Sequence, residues 1–117
     1  FIACTGQPTR PPPPGYLTFV QHCAACHAVG CNRAGPKLAG VVGRAAGSVL
    51  DFDGYTVEMR YSGLVWTPAT LDALMRAPQT VVHRSWMEAL QPITSAAERS
   101  AVIAFLQSGD TSADRCP

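Results

Sequence analysis

The stretch Cys23-Ala24-Ala25-Cys26-His27 decides what this chain can fold around. Two thiols stand three positions apart, and an imidazole follows the second directly. On a helical turn, side chains at positions i and i+3 lie on the same face, so both thiols can reach the two vinyl groups of one porphyrin. This is the pattern for covalent attachment of a c-type haem. It predicts thioethers at Cys23 and Cys26 and proximal ligation of the iron by His27.

Two other uses of paired cysteines have less support in the sequence. A structural zinc site needs four ligands, usually with a second Cys or His pair downstream. Cys31, Cys116 and His83 are isolated from one another along the chain. A thioredoxin-like redox pair needs a neighbouring strand, and no segment shows the alternation of a strand. The sequence therefore predicts one covalently bound haem c.

The composition is that of one small domain in an oxidising compartment. The chain has 117 residues, of which 47% are hydrophobic and 15% charged, and its formal net charge is +1. The lack of a basic stripe excludes a nucleic-acid binder, and no apolar run reaches the length of a membrane span. Five cysteines in so short a chain are typical of exported proteins. We therefore expect a mature protein of the periplasm or an equivalent compartment.

Residues 1–14 are expected to form an extended Pro-rich arm or tether, and residues 15–117 the haem domain. The run Pro11-Pro12-Pro13-Pro14 favours a polyproline II conformation. The first four residues, Phe1-Ile2-Ala3-Cys4, are similar to the end of a lipoprotein signal. A lipid on Cys4 would then tether the domain to a membrane. An ordinary chain terminus is an equally good interpretation.

The helix signals predict an all-α fold of three to five helices wrapped around the haem. The first helix is expected over residues 15–26, and a short helical piece ends near Tyr61. Thr67 as the cap and Pro68 at the first position begin another helix. That helix must stop before Pro78.

The last helix has the clearest ends in the sequence. Ser95 and Glu98 are spaced as a capping box, and Gly109 is placed to end the helix. An apolar stripe lies between these ends. Residues 79–92 show no clear period and are predicted to be a loop.

The second axial position of the iron has several candidates, which are Met59, Met75, Met87, His22 and His83. Met75 falls on an apolar helix face, and His22 points away from the thioether face. Met87 lies in an irregular segment, where a thioether can be aimed at iron. Position alone favours Met87 modestly over His83.

Residues 15–107 resemble a class I cytochrome c of the small bacterial and mitochondrial type. Several segments carry the resemblance, in the family's order. They are Gly15 and Phe19 before the attachment motif, Gly35-Pro36-Lys37-Leu38, Gly40-Val41-Val42-Gly43-Arg44, Tyr55, Ser62-Gly63-Leu64-Val65-Trp66, the loop from Pro78 to Met87, Glu98-Arg99 and Val102-Ile103-Ala104-Phe105-Leu106.

The resemblance implies which residues hold the haem. Besides the two cysteines, they are His27, Pro36, Arg44, Tyr55, Trp66 and Met87. The Pro36 carbonyl accepts the second N–H of His27, and Met87 is the other axial ligand. The tyrosine and the tryptophan donate to a haem propionate, with the arginine nearby. Phe19 stands one turn before Cys23 and is expected to pack near the haem edge.

The chain departs from the family on the distal side of the haem. His83-Arg84-Ser85-Trp86 stands where the family usually has Pro-Gly-Thr-Lys. Leu74 replaces a tyrosine that commonly bonds the axial sulfur, and Met59 replaces an asparagine. We expect a distal side with fewer hydrogen-bond donors. His83 remains a rival ligand, because imidazole binds haem iron well.

The resembled fold also implies a disulfide. In that fold the loop after His27 lies near the end of the last helix, which favours a Cys31–Cys116 bond. A bond between Cys4 and Cys116 is the rival pairing, because the first and last helices cross. The favoured pairing leaves Cys4 for a lipid or as a free thiol.

The resemblance implies a one-haem electron carrier rather than an enzyme. It would cycle between Fe(II) and Fe(III) with His/Met ligation and exchange single electrons with redox protein partners. One alternative is a tightly bound or membrane-tethered cytochrome subunit of a dehydrogenase or of a respiratory or photosynthetic complex. A ligand-binding or peroxidatic haem protein is a third possibility, and it requires Met87 to leave the iron.

Overall fold

The computed structural model describes residues 11–117, so Cys4 and most of the predicted arm lie outside the described residues. The α-helices of this part of the chain are α1 Tyr16–His22, α2 Val57–Arg60, α3 Pro68–Arg76, α4 Pro78–Val81 and α5 Ala96–Ser108. A 3-10 helix, Trp86–Ala89, precedes α5. Residues 11–117 contain no strand beyond one isolated bridge, Ala45–Val65. The all-α prediction is confirmed.

Helices α1 and α5 cross in close contact, and a glycine makes the contact possible. Gly15 caps α1 with φ of 85°, a left-handed conformation that favours glycine. A Cβ at Gly15 would overlap the backbone carbonyl of Ala101 on α5. Beside this crossing, the rings of Phe19 and Phe105 pack with their centroids 5.1 Å apart. The crossing therefore fixes the helix that leads into the attachment motif.

Helix α3 begins where the sequence predicts. The Thr67 side chain accepts from the backbone N–H of Thr70, and the Thr70 side chain accepts from the backbone N–H of Thr67. This reciprocal pair satisfies two N–H groups at the helix start. The helix buries Leu71, Leu74 and Met75, so its inner face contributes to the core around the haem cavity.

Helix α5 also begins and ends where predicted, although only one half of the predicted capping box forms. The Ser95 side chain accepts from the Glu98 backbone N–H, and Gly109 ends the helix with φ of 70°. Between the caps, Val102, Phe105 and Leu106 are buried. Local chemistry at both ends was therefore sufficient to place this helix.

A buried arginine joins α5 to α3, which sequence reasoning did not foresee. The Arg99 Nε donates to the Asp72 carboxylate over 2.7 Å. One Arg99 Nη donates to the backbone carbonyl of Ile93 over 2.8 Å. The guanidinium of Arg99 thus links the segment at Ile93, just before α5, to helix α3.

Two boundary predictions were wrong. Helix α1 ends at His22 rather than at residue 26, because the backbone N–H of Ala24 bonds to the Phe19 carbonyl rather than to that of Val20 and so leaves the helical pattern. The predicted loop at residues 79–92 contains α4 and the 3-10 helix. Helix α4 starts on Pro78, whose fixed φ suits a first helical position. Both helices are only 4 residues long, which is too short for a readable period.

The C-terminal tail is bonded to the loop that follows the attachment motif. Cys31 and Cys116 form a disulfide with a Cα–Cα distance of 6.0 Å, within the usual range. The Asp114 carboxylate accepts from the backbone N–H groups of Val29 and Gly30 over 2.7 and 2.8 Å. The predicted Cys31–Cys116 pairing is confirmed.

No helix among residues 11–117 has the length and apolar character needed to cross a membrane.

Candidate haem site

A cavity of about 670 Å³ opens between the attachment turn, the proximal loop, α3, α5 and the 3-10 helix. Most of its wall is apolar. The sequence-predicted site residues in the wall are Cys23, Cys26, His27, Pro36, Arg44, Tyr55, Trp66 and Met87. Residues far apart in the chain are thus brought together around one space.

His27 is held in one orientation by its surroundings. Its Nδ1 lies 2.9 Å from the backbone carbonyl of Pro36 and donates to it, which leaves Nε2 as the nitrogen available to a metal. A Cβ at Gly35 would overlap the His27 ring, so only glycine lets the backbone approach so closely. Burial lowers the pKa of His27, opposed by the Pro36 bond and assisted by the Arg44 charge. The imidazole is therefore kept neutral, the form that binds iron.

The two attachment cysteines differ in exposure. Cys23 is half-buried, whereas Cys26 is exposed at the cavity edge. Burial raises the pKa of the Cys23 thiol to about 12, so this sulfur is a neutral thiol at physiological pH. A neutral thioether suits the same apolar surroundings.

Arg44 provides the structural test of whether a haem fits this cavity. Its Nε is buried and has no hydrogen-bond partner among the described residues, although an Nη donates to the Ala39 carbonyl over 3.1 Å. Burial lowers the pKa of Arg44. A buried guanidinium N–H without an acceptor is costly. A haem propionate is an anionic acceptor that would satisfy it, so the residues present fit the group.

Tyr55 and Trp66 add donors near the same part of the wall. The Tyr55 hydroxyl oxygen accepts from the Val49 backbone N–H over 3.2 Å, which leaves its own O–H free to donate. The indole N–H of Trp66 makes no hydrogen bond with any residue the structure describes, although Trp66 is only 6% exposed. Both groups can therefore serve an oxygen ligand in the cavity.

Three methionines line the cavity, and their settings differ. Met59 and Met75 are buried on α2 and α3. Met87 lies on the 3-10 helix and is half-buried. Leu74 and Leu71 also line this space, which agrees with an apolar distal side.

Two other residues predicted for the site, His83 and Phe19, do not line the cavity. His83 is exposed and does not line the cavity, whereas His22 stands at its edge. Phe19 is completely buried and packs on Phe105 behind the wall. Its backbone carbonyl accepts from the N–H groups of Cys23 and Ala24. Phe19 thus supports the attachment turn from behind.

Within the described part of the chain, no three His, Cys, Asp or Glu side chains cluster in a way that would hold a bare metal ion. This finding gives no support to the zinc alternative.

The decisive comparison is with protein families. A sequence profile of the family described as Cytochrome c matches residues 14–110. The chain belongs to the cytochrome c family.

Individual relatives agree with this assignment. The chain is 38% identical over 92 residues to a protein named Cytochrome c2 from Agrobacterium tumefaciens, with 74% of this chain and 81% of that protein covered. It is 39% identical over 88 residues to Cytochrome c2 iso-2 of Magnetospirillum fulvum, covering 74% and 90%. The structure is similar to that of cytochrome cH from Methylobacterium extorquens, with a TM-score of 0.74 and 32% identity over 80% of this chain and 94% of that one.

As a class I cytochrome c, this protein binds one haem c covalently and works as an electron carrier, not as an enzyme. It passes single electrons between redox partners by Fe(II)/Fe(III) cycling. The positions of His27 and Met87 fit His/Met ligation.

Several residues of the cytochrome site were missed from the sequence. Ser85 is buried and its side chain accepts from the Met87 backbone N–H over 3.1 Å. Phe52 and Gln21 also line the cavity. Ser85, two residues before Met87, was readable as a local cap, whereas nothing in the sequence indicates where Phe52 lies.

Replacing Arg44 by methionine should lower the midpoint potential of the cytochrome by on the order of 50 mV. Arg44 is half-buried in the cavity wall. A positive charge there would favour the electron-rich ferrous state of the haem, and its removal takes that stabilisation away. Potentiometric titration of the purified holoprotein measures the shift. The matched control is Arg60→Met, which removes an exposed arginine at the end of α2. Equal potentials for Arg44→Met and the native protein would show that the Arg44 charge does not act on the haem.

Proposed function

We propose that the cavity residues divide the work of holding one redox-active haem. Cys23 and Cys26 form the thioethers, and His27 and Met87 bind the iron from separate parts of the wall. The Pro36 carbonyl fixes the His27 ring. The observation that supports this division most directly is the single apolar cavity that contains both candidate ligands and the unsatisfied Arg44 donor.

We further propose that Arg44, Tyr55 and Trp66 bind the propionates, and that Phe19 supports the attachment turn. The bound haem supplies a one-electron Fe(III)/Fe(II) couple. The chain contributes neutral ligand groups, because burial keeps the His27 imidazole uncharged. A neutral imidazole with a neutral thioether raises the reduction potential. A mostly apolar wall excludes water from the iron.

The proposed docking face for redox partners is the cavity edge. Cys26, Trp86 and Ala89 are exposed there, and Leu90 is half-buried beside them. The chain carries a net charge of only +1. We therefore propose a redox protein partner that docks through brief, mainly apolar contact, since strong electrostatic steering needs a larger charge.

The central test is an absorption spectrum of the ferric and ferrous protein combined with a redox titration. We expect a low-spin haem c in both states, with the charge-transfer band of thioether ligation in the ferric form and a positive midpoint potential. A five-coordinate or bis-imidazole spectrum would overturn the proposed ligand set.

A second candidate is a cytochrome subunit that stays bound to a dehydrogenase or to a respiratory or photosynthetic complex, held near the membrane by the arm at residues 1–14 and Cys4. This candidate draws on a relative in which the matched domain is part of a longer chain. A relative named Cytochrome c-type cyt cy, from Rhodobacter capsulatus, is 38% identical, and the match covers 46% of that longer protein. Co-purification of the protein with a tight partner from native membranes would support this candidate over a free carrier.

The proposal also covers the cellular compartment of the protein and the boundaries of its cytochrome domain. We propose that the protein works in the periplasm or an equivalent oxidising space, supported by the Cys31–Cys116 disulfide. We also propose residues 15–117 as the cytochrome domain.

No lysine-ligated form should appear when the pH is raised. Lys37 is the only lysine in the chain. It follows Pro36, which accepts from His27, and its backbone N–H is bonded to the Asn32 side chain over 2.8 Å. The lysine is thus anchored on the His27 side. A pH titration of the ferric spectrum tests this. A nitrogen-ligated species that Lys37→Ala abolishes would contradict it.

A further inference from the structure

The Met87 segment, residues 83–91, is held mostly by bonds within itself. The Met87 backbone N–H donates to the Ser85 side chain over 3.1 Å, and the Leu90 N–H donates to the Met87 carbonyl over 2.9 Å. Arg84 has φ of 57°, a left-handed conformation that a non-glycine residue keeps only when its surroundings hold it there. The segment therefore needs an external attachment.

One hydrogen bond supplies such an attachment, in addition to the packing of Met87 against the core. The Trp86 indole N–H donates to the backbone carbonyl of Gly54 over 3.1 Å. Among the residues that the structure describes, it is the only hydrogen bond from the Met87 segment to another part of the chain. The Trp86 side chain is 77% exposed, so burial of the ring contributes little to holding the segment.

The carbonyl that accepts this bond belongs to a corner where two aromatic rings pack together. A Cβ at Gly54 would lie 2.6 Å from the Phe52 ring, so Phe52 folds directly over the glycine. The Phe52 ring meets the Tyr55 ring edge-on, with centroids 4.9 Å apart. Trp86, Gly54, Phe52 and Tyr55 all line the haem cavity. The indole bond thus joins the Met87 segment to another part of the cavity wall.

We propose that Trp86 is a positioning residue for the axial thioether. Its indole N–H latches the Met87 segment to the Gly54 carbonyl and so limits how readily an added ligand displaces Met87 from the iron. This inference rests on the proposed function, in which Met87 is an axial ligand. Trp86 itself does not touch the iron. It acts by making movement of the segment away from the cavity less favourable.

The probe is imidazole, which must displace the thioether before it can bind the ferric iron. Trp86→Phe keeps an aromatic ring and removes the N–H. Loss of one net hydrogen bond changes an equilibrium by about three- to tenfold. We therefore expect Trp86→Phe to bind imidazole about three- to tenfold more tightly than the native holoprotein, mainly through faster association. Spectral titration and stopped-flow absorbance measure both quantities.

Two controls separate the latch from general effects. Tyr61 is also 77% exposed, so Tyr61→Phe removes a polar atom from an equally exposed ring and should leave imidazole binding unchanged. In a Met87→Ala background there is no thioether to displace, so Trp86→Phe should have no effect. Because the same bond is absent from the unfolded chain, Trp86→Phe should lower the free energy of unfolding in guanidinium by no more than the equivalent of its change in imidazole affinity.

The outcomes are distinguishable. Native-like imidazole affinity in Trp86→Phe overturns the latch, as does an equal effect of Trp86→Phe in the Met87→Ala background. A loss of unfolding free energy much larger than the equivalent of the change in imidazole affinity would show a general structural role and would also overturn it. If instead Met87→Ala has the native spectrum and native imidazole affinity, Met87 is not the ligand. That result overturns the assignment of Met87 as a ligand. If only the Trp86 proposal fails, Met87→Ala still has an iron position that imidazole can occupy freely.

Discussion

Met87→Ala should lower the midpoint potential by on the order of 0.2 V, a fraction of the roughly 0.8 V that axial ligands span. Alanine cannot reach the iron, so the ferrous state loses the thioether that stabilises it. The ferrous variant should also bind carbon monoxide at neutral pH, which the native protein should resist because both axial positions are filled. A redox titration and a carbon monoxide difference spectrum measure the two effects.

The other methionines of the cavity provide matched controls. Met59 and Met75 also line the space, so Met59→Leu and Met75→Leu test whether any thioether in the wall matters equally. Both variants should keep the thioether band and resist carbon monoxide. A native-like Met87→Ala spectrum, combined with loss of the band in either control, would move the ligand assignment to that methionine.

Removing the disulfide should give the largest loss of stability. The variant Cys31→Ser/Cys116→Ser is expected to lower the free energy of unfolding by about 2–4 kcal/mol. The bond joins residues 85 positions apart, so its loss releases a long loop in the unfolded chain. Guanidinium unfolding of the holoprotein measures the change, while the visible spectrum should stay native.

The double substitution can be checked against reduction of the native protein. With the haem iron kept ferrous in both proteins, a dithiol reductant should lower the unfolding free energy of the native protein to that of the double variant and leave the variant unchanged. The tail has a second attachment, because Asp114 accepts from Val29 and Gly30. Asp114→Ala should therefore destabilise the double variant further. Equal unfolding curves for the native and double-variant proteins would show that the bond contributes nothing.

Helix ends were predictable wherever capping chemistry is local. Thr67 and Thr70 form their capping box across three positions, and Gly109 ends α5 in the left-handed conformation that glycine favours. The end of α1 was not predictable, because it depends on a turn in which the Ala24 N–H bonds back to the Phe19 carbonyl. The short helices near Met87 gave no usable period.

The candidate haem-binding residues could be identified from the sequence, whereas the interactions that hold the surrounding helices in place could not. Cys23, Cys26 and His27 form one short motif whose chemistry indicates covalent haem attachment. By contrast, the Arg99–Asp72 pair joins residues 27 positions apart, and no local signal identifies either partner. The resemblance to a family indicated Met87 and the disulfide, which position alone left open.

The sequence by itself determined that a haem would be attached and that helices would surround it, because thiol spacing and capping act over a few residues. Only the tertiary structure decided which wall residues support the site. It left the Arg44 Nε without a partner and brought the Trp86 indole to the Gly54 carbonyl, 32 positions away. Such pairings depend on how distant segments pack around one shared cavity, and packing is a property of the whole fold.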